Sequence, residues 1–114
     1  MLSNTLLEVL LQFRRERDWE QFHSARNLAA SISVEAAELL ESFIWASDEQ
    51  VQEIVQSRHA EITEEIADIA ILLTYLAHDL SIDIDVAVKN KIQVNAMKYP
   101  VEKARGSNKK YIDL

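Results

Sequence analysis

Four acidic residues stand at a repeated spacing, Glu35 and Glu38 in VEAAELLE and Glu65 and Asp68 in EEIADIAI. Residues three apart are neighbours on a helix surface, so each E-x-x-E/D pair stacks two carboxylates on one face. Neither pair has a lysine or arginine four residues on to neutralise it. Between Glu35 and Asp85 there are thirteen acidic residues and a single base, Arg58. Carboxylates brought together repel one another and are driven to protonate unless a cation compensates them. With no cysteine in the chain, an all-oxygen donor set suits Mg²⁺, or Mn²⁺, rather than zinc. One such pair is common decoration on a solvated helix; two matched pairs point to a cation site.

The matching is angular. At about 100° per residue, with Ile32 at zero, Ala25, Leu28, Ala36, Leu39 and Phe43 fall within about 40° of it. On that wheel Glu35 lies at about −60° and Glu38 at about −120°. On the next long segment the stripe Ile62, Ile66, Ile69, Leu73, Leu76 and Leu80 puts Glu65 at about −60° and Asp68 at about −120°. Both pairs therefore border an apolar stripe with the same offset and hand, and antiparallel packing of the two helices would let them converge.

The elements that must position them are helical. The chain has 114 residues, 48% hydrophobic and 27% charged, with one glycine and one proline, Gly106 and Pro100. A P-loop, a glycine-rich dinucleotide fingerprint and glycine-turned hairpins are excluded, since each needs residues that tolerate positive φ. The length suits one domain, residues 1–114. A first helix is predicted from the Ser3-Asn4-Thr5 cap to near Arg17, with Leu6, Val9, Leu10 and Phe13 facing the core. Ser24 caps a second, closing near Trp45. Ser47-Asp48-Glu49 opens a further stretch to about Arg58, and the long Ile62–Leu80 helix follows. Ser81 to Asp85 caps a fourth helix, 85–98, carrying Val88, Ile92 and Tyr99. Pro100 stops it, and the remaining tail reads as irregular.

Charge and targeting narrow the class. Twelve Lys+Arg against nineteen Asp+Glu give a net charge of −7, which argues against nucleic acid as a partner. Lys89 to Leu114 reverses the balance, with seven bases and two acids, so an acidic middle and a basic end could hold a cation and a polyanion together. The segment MLSNTLLEVLLQFRRER lacks a signal peptide's basic start and small-residue cleavage site. No apolar run approaches the roughly 20 residues of a membrane span. A cytoplasmic protein without a membrane partner is the expectation. A di-iron carboxylate bundle would need Glu-x-x-His on two core helices; only Glu20-x-x-His23 has that spacing, and it lies in a connection. A non-catalytic helical module binding a basic partner through its acidic face is the other alternative.

The stretches RDWEQFHSARNLAASISVEAAELLESFIW, EITEEIADIAILL and KIQVNAMKYPVEKARGSNKKY together resemble the all-α nucleoside triphosphate pyrophosphohydrolases. They are most similar to the MazG-like branch that includes the deoxycytidine triphosphate pyrophosphatases. The resemblance implies an all-α, four-helix-bundle-like MazG fold with an irregular C-terminal tail. It implies Mg²⁺-dependent cleavage of a deoxynucleoside triphosphate, dCTP or a relative, between the α- and β-phosphates. The products would be a monophosphate and pyrophosphate, and the role a clearing of the nucleotide pool.

By the same resemblance Glu35, Glu38, Glu65 and Asp68 bind the metal and one of them helps deprotonate the attacking water. Glu61 or Glu64 could act from outside that set, and Val34 stands where some members carry a further glutamate. Trp19, His23 and Trp45 match positions near the base pocket. At about 140° from Ile32, Trp45 is not explained by the core, and its indole suits either stacking on a base or a subunit contact. Asn95, Lys98 and Tyr99 align with residues lining the substrate site, and Arg105 follows in a tail suited to closing on the triphosphate. Leu7, Leu11, Leu40 and Leu72 lie off the main stripes as surplus apolar surface. With the dimer-of-dimers habit of the branch, they imply a homotetramer.

Overall fold

The computed structural model describes residues 1–114 and is all-helical. Six helices run α1 (Asn4–Glu16), α2 (Ala25–Glu41), α3 (Val51–Ser57), α4 (His59–Asp79), α5 (Ile84–Lys98) and α6 (Val101–Ala104). Short 3₁₀ turns lie at Glu20–Phe22, Asp48–Gln50 and Tyr111–Asp113. Leu2–Ser81 form one compact unit; Ile82–Leu114, with Met1, form another.

The caps read from the sequence hold these helices. Ser3 Oγ accepts from the Leu6 amide at 3.2 Å, Ser24 Oγ from Asn27 at 3.1 Å, and an Asp83 carboxylate oxygen from Val86 at 3.1 Å. Each satisfies a donor the first helical turn leaves free. Ser47 and Gln50 complete a reciprocal capping box before α3. α1 ends in a Schellman turn. Asp18 adopts φ 52°, and the amides of Asp18 and Trp19 reach back to the carbonyls of Arg15 and Arg14, each at 3.1 Å.

In the larger unit α2 packs on α4, and α1 closes over the α4 C-terminal half. His23 lies against Tyr75 while Glu35 meets Glu65, so α2 and α4 run antiparallel. Tyr75 bonds to Leu10 and Arg14 to Asp79, so α1 and α4 run parallel. The core is Leu11, Leu28 and Tyr75, with Leu7, Leu10, Ile71, Leu72 and Leu76 packed against it; Leu28, at 1% exposure, is its centre.

This corrects the helical faces. Leu7, Leu11 and Leu72, which sequence periodicity leaves as surplus, are core residues. Leu6, Val9 and Phe13, expected inside, are exposed, as are Ile66 and Leu73 on α4 and Leu80 at its C-cap. Each helix carries two apolar faces, and periodicity does not say which one its own chain covers. The end of α2 also differs. The helix stops at Glu41, because the amides of Ser42 and Phe43 switch to the carbonyls of Leu39 and Leu40, and Trp45 stands in the turn beyond.

In the smaller unit α5 exposes Val86, Val88, Ile92 and Met97. The tail is more regular than its composition predicts. Pro100, with φ −61°, caps the short α6, since its fixed φ and missing N–H are tolerated at a helix start. Gly106, at φ 72°, turns the chain on toward the final 3₁₀ turn.

One polar clamp joins α1 to α4. Arg14, 5% exposed, donates twice to Asp79, at 2.9 and 2.8 Å, and lies 4.6 Å over the Tyr75 ring. The Tyr75 hydroxyl donates to the Leu10 carbonyl at 2.9 Å. Arg14 holds the Asp79 carboxyl below its ordinary range, so this pair stabilises the fold above that range and its contribution is lost as pH falls through it. Asp79→Ala leaves a buried guanidinium unpaired and should cost about 3 kcal/mol. Tyr75→Phe should cost about 1 kcal/mol. Urea denaturation at neutral pH measures both.

Candidate functional site

The carboxylates lie where the packed faces of α2 and α4 give way to solvent. Glu35 and Glu65 are half-buried and Glu38 exposed, and each can offer an oxygen to a set whose members all lie within 4.8 Å of one another. Asp68 stands outside this trio but lines a common cavity with Glu35. The four acids singled out by spacing thus occupy one region of the α2–α4 face.

Their electrostatics are unfavourable as they stand. Glu35 is pushed above its ordinary pKa, first by its neighbour Glu65, then by partial burial and the charge of Asp68, although Glu38 pulls the other way. Glu38 is raised chiefly by Glu35. One oxygen of each central acid, Glu35 Oε2 and Glu65 Oε2, is buried without a hydrogen-bond partner. An unpartnered buried carboxylate oxygen is costly, and a divalent cation supplies what both lack. An all-oxygen set with an exposed third member fits Mg²⁺ or Mn²⁺, which keep positions for water and phosphate.

Beside the carboxylates lies a cavity of about 370 Å³, walled by Leu10, Phe13, Trp19, Ile71, Leu72 and Tyr75 with His23, Glu35 and Asp68 as its polar members. The Schellman turn at Asp18 brings Trp19 back onto α1, where its ring meets Phe13 edge-to-face at 5.7 Å. His23 sits 5.3 Å from the Tyr75 ring. Burial and the Arg14 guanidinium hold its pKa down, which favours the neutral ring, and its Nδ1 is buried and unpartnered. Of the lone Glu-x-x-His spacing, Glu20 is exposed on the 3₁₀ turn and only His23 reaches the cavity that Glu35 and Asp68 line.

Trp45 is separate from this cavity. It is 91% exposed and borders another cleft of about 290 Å³ with Glu41, Ser42, Ala46, Gln50, Glu53 and Ile54. Asn95, Lys98, Tyr99 and Arg105 belong to the smaller unit. There Lys98 Nζ lies 4.8 Å from the Tyr111 ring, which meets Tyr99 edge-to-face at 6.0 Å. Sequence reasoning missed Arg14, Asp79 and Tyr75, which fix one wall of the larger cavity. The available signal was a charged Arg14 in register with Leu7 and Leu11, one turn apart on the same face.

Comparison with known proteins shows the family. A model of the MazG-like family matches residues 30–114. The mouse protein dCTP pyrophosphatase 1 is 42% identical over 105 residues, covering 90% of this chain and 62% of that protein. Its human counterpart is 39% identical over the same shares. The chain thus spans less than two thirds of the length of these relatives. A pyrophosphatase of Archaeoglobus fulgidus, solved by crystallography, superposes with a TM-score of 0.82 at 44% identity, over 84% of this chain and 90% of that one.

Because the folded state disfavours the ionised form of Glu35, the strain is present at neutral pH and is relieved as pH falls into the carboxylate range. In chelator, Glu35→Gln should therefore raise the melting temperature at pH 7, and the gain should vanish below the ordinary carboxylate range. Mg²⁺ at ten to a hundred times its Kd should stabilise the unaltered protein by roughly 1–3 kcal/mol and the variant by much less. Thermal denaturation across pH, with and without Mg²⁺, reads all of these.

Proposed function

The chain belongs to the MazG-like family, and from that premise we propose that it is a Mg²⁺-dependent deoxynucleoside triphosphate pyrophosphohydrolase. The reading takes dCTP or a related deoxynucleotide as substrate and a monophosphate and pyrophosphate as products. The observation that carries it is the trio Glu35, Glu38 and Glu65, with oxygens within 4.8 Å of one another, next to an aromatic cavity that Glu35 and Asp68 share. A metal-binding acidic face adjoining an apolar slot suits a ligand with a polyphosphate at one end and a base at the other. Names of relatives at about 40% identity support the bond and the substrate class.

Glu35, Glu38, Glu65 and Asp68 hold the metal in this reading. When bound, Mg²⁺ neutralises the carboxylates and triphosphate together and polarises the phosphoryl oxygens. A member of the acidic set accepts the proton of the attacking water. Trp19 and His23 border the base slot, whose remaining walls are mainly apolar. Neutral His23, with an unpartnered ring nitrogen, offers a hydrogen bond to a base edge. Trp45 lies outside that slot in its own chain, so its stacking on a base requires a neighbouring copy. Asn95, Lys98, Tyr99 and Arg105 hold the phosphates, in the same chain or a neighbouring copy. The exposed apolar faces of α1, α4 and α5 support self-association as a dimer of dimers.

Asp68→Asn should lower kcat by about a hundredfold or more with helicity unchanged by circular dichroism. Trp45→Ala should raise KM by about tenfold with a smaller effect on kcat, since stacking binds ground and transition states alike. Product analysis settles the bond: pyrophosphate with dCMP is expected, and orthophosphate as the first product contradicts the assignment.

A further inference from the structure

We infer that Tyr111 is a positioning residue for the triphosphate: its ring, anchored edge-to-face on Tyr99, holds the Lys98 ammonium in place before substrate arrives. The inference rests on the reading of Lys98 as a phosphate ligand and adds to it a residue outside that ligand set.

Lys98 is the last residue of α5 and Tyr99 its C-cap, with the Tyr99 amide bonded to the Asn95 carbonyl at 2.8 Å. The backbone beneath both side chains is therefore fixed. The Lys98 side chain, by contrast, is exposed and forms no ion pair. A lysine on a flexible four-carbon stem loses rotamer freedom when it grips an anion. Tyr111 supplies the restraint. It returns at the final 3₁₀ turn, where its ring takes the Lys98 ammonium at 4.8 Å and meets Tyr99 at 6.0 Å. An edge-to-face pair is a preferred aromatic geometry, and a cation on one ring face leaves its other side free for phosphate oxygens. Three groups brought together from residues 98, 99 and 111 thus form one assembly in which the ring serves the ammonium.

An exposed cation–π contact is worth a two- to fivefold effect on binding, by its typical magnitude. The test is a double-mutant cycle on the full chain. Kd for an α,β-methylene analogue of dCTP is measured in saturating Mg²⁺ by calorimetry, for the unaltered protein, Tyr111→Leu, Tyr111→Phe, Lys98→Ala and Lys98→Ala with Tyr111→Leu. Tyr111→Leu should weaken binding about two- to fivefold, Tyr111→Phe should keep wild-type affinity, and Tyr111→Leu should add nothing once Lys98 is alanine. An equal loss from Tyr111→Leu in both backgrounds means that the ring acts through general structure and overturns the inference. Unchanged affinity in Lys98→Ala removes Lys98 from the phosphate site and overturns it as well, while leaving the proposed reaction standing. Nucleotide binding without pyrophosphate release from dCTP would instead overturn the reaction and leave the cycle readable.

Discussion

Repulsion between carboxylates organises this molecule. α2 and α4 meet through apolar side chains around Leu28 and Tyr75, yet further along the same pair of helices Glu35 and Glu65 come together, each half-buried and each with an oxygen lacking any partner. Such a face is tolerable only because the rest of the unit is held by other means and because a cation can neutralise it. Three carboxylates at this spacing could hold a metal ion, and such an ion would relieve the repulsion between them.

The compensation lies at the opposite end of the same helices. There Arg14 is buried against Asp79 and Tyr75, the charge pairing that the carboxylate face lacks, and Leu11, Leu28 and Tyr75 close the core. At this end the charge is paired, although Arg14 Nε and His23 Nδ1 stay without partners; at the other the carboxylates face one another. The cavity between them inherits a wall from each, with Tyr75 and His23 on the clamped side and Glu35 and Asp68 on the acidic side. Removing Asp79 therefore disturbs the pocket that its partners line as well as the fold.

The site was more legible in the sequence than the packing. The matched E-x-x-E and E-x-x-D offsets point to convergence, and three of the four acids, Glu35, Glu38 and Glu65, do come together, while Asp68 shares only a cavity with Glu35. The faces of α1 and α4 were misread by about one residue's rotation, since Leu6, Val9 and Phe13 are as apolar as Leu7 and Leu11 and periodicity ranks them equally. What separates them is Arg14, whose charge suggests solvent and whose pairing with Asp79 lies 65 residues away, beyond the reach of local pattern. Trp45 was assigned to a helix that ends four residues earlier, for hydrogen-bond reasons no composition reveals, and Pro100 was read as a stop where it also starts α6.

The account turns on the acidic trio holding a divalent ion. Anomalous diffraction from crystals of the protein soaked in Mn²⁺ tests that most directly, because it locates the ion without reference to turnover. The expected result is a peak within bonding distance of oxygens from Glu35, Glu38 and Glu65. Manganese bound only elsewhere, or these three carboxylates left bare at saturating Mn²⁺, would contradict it.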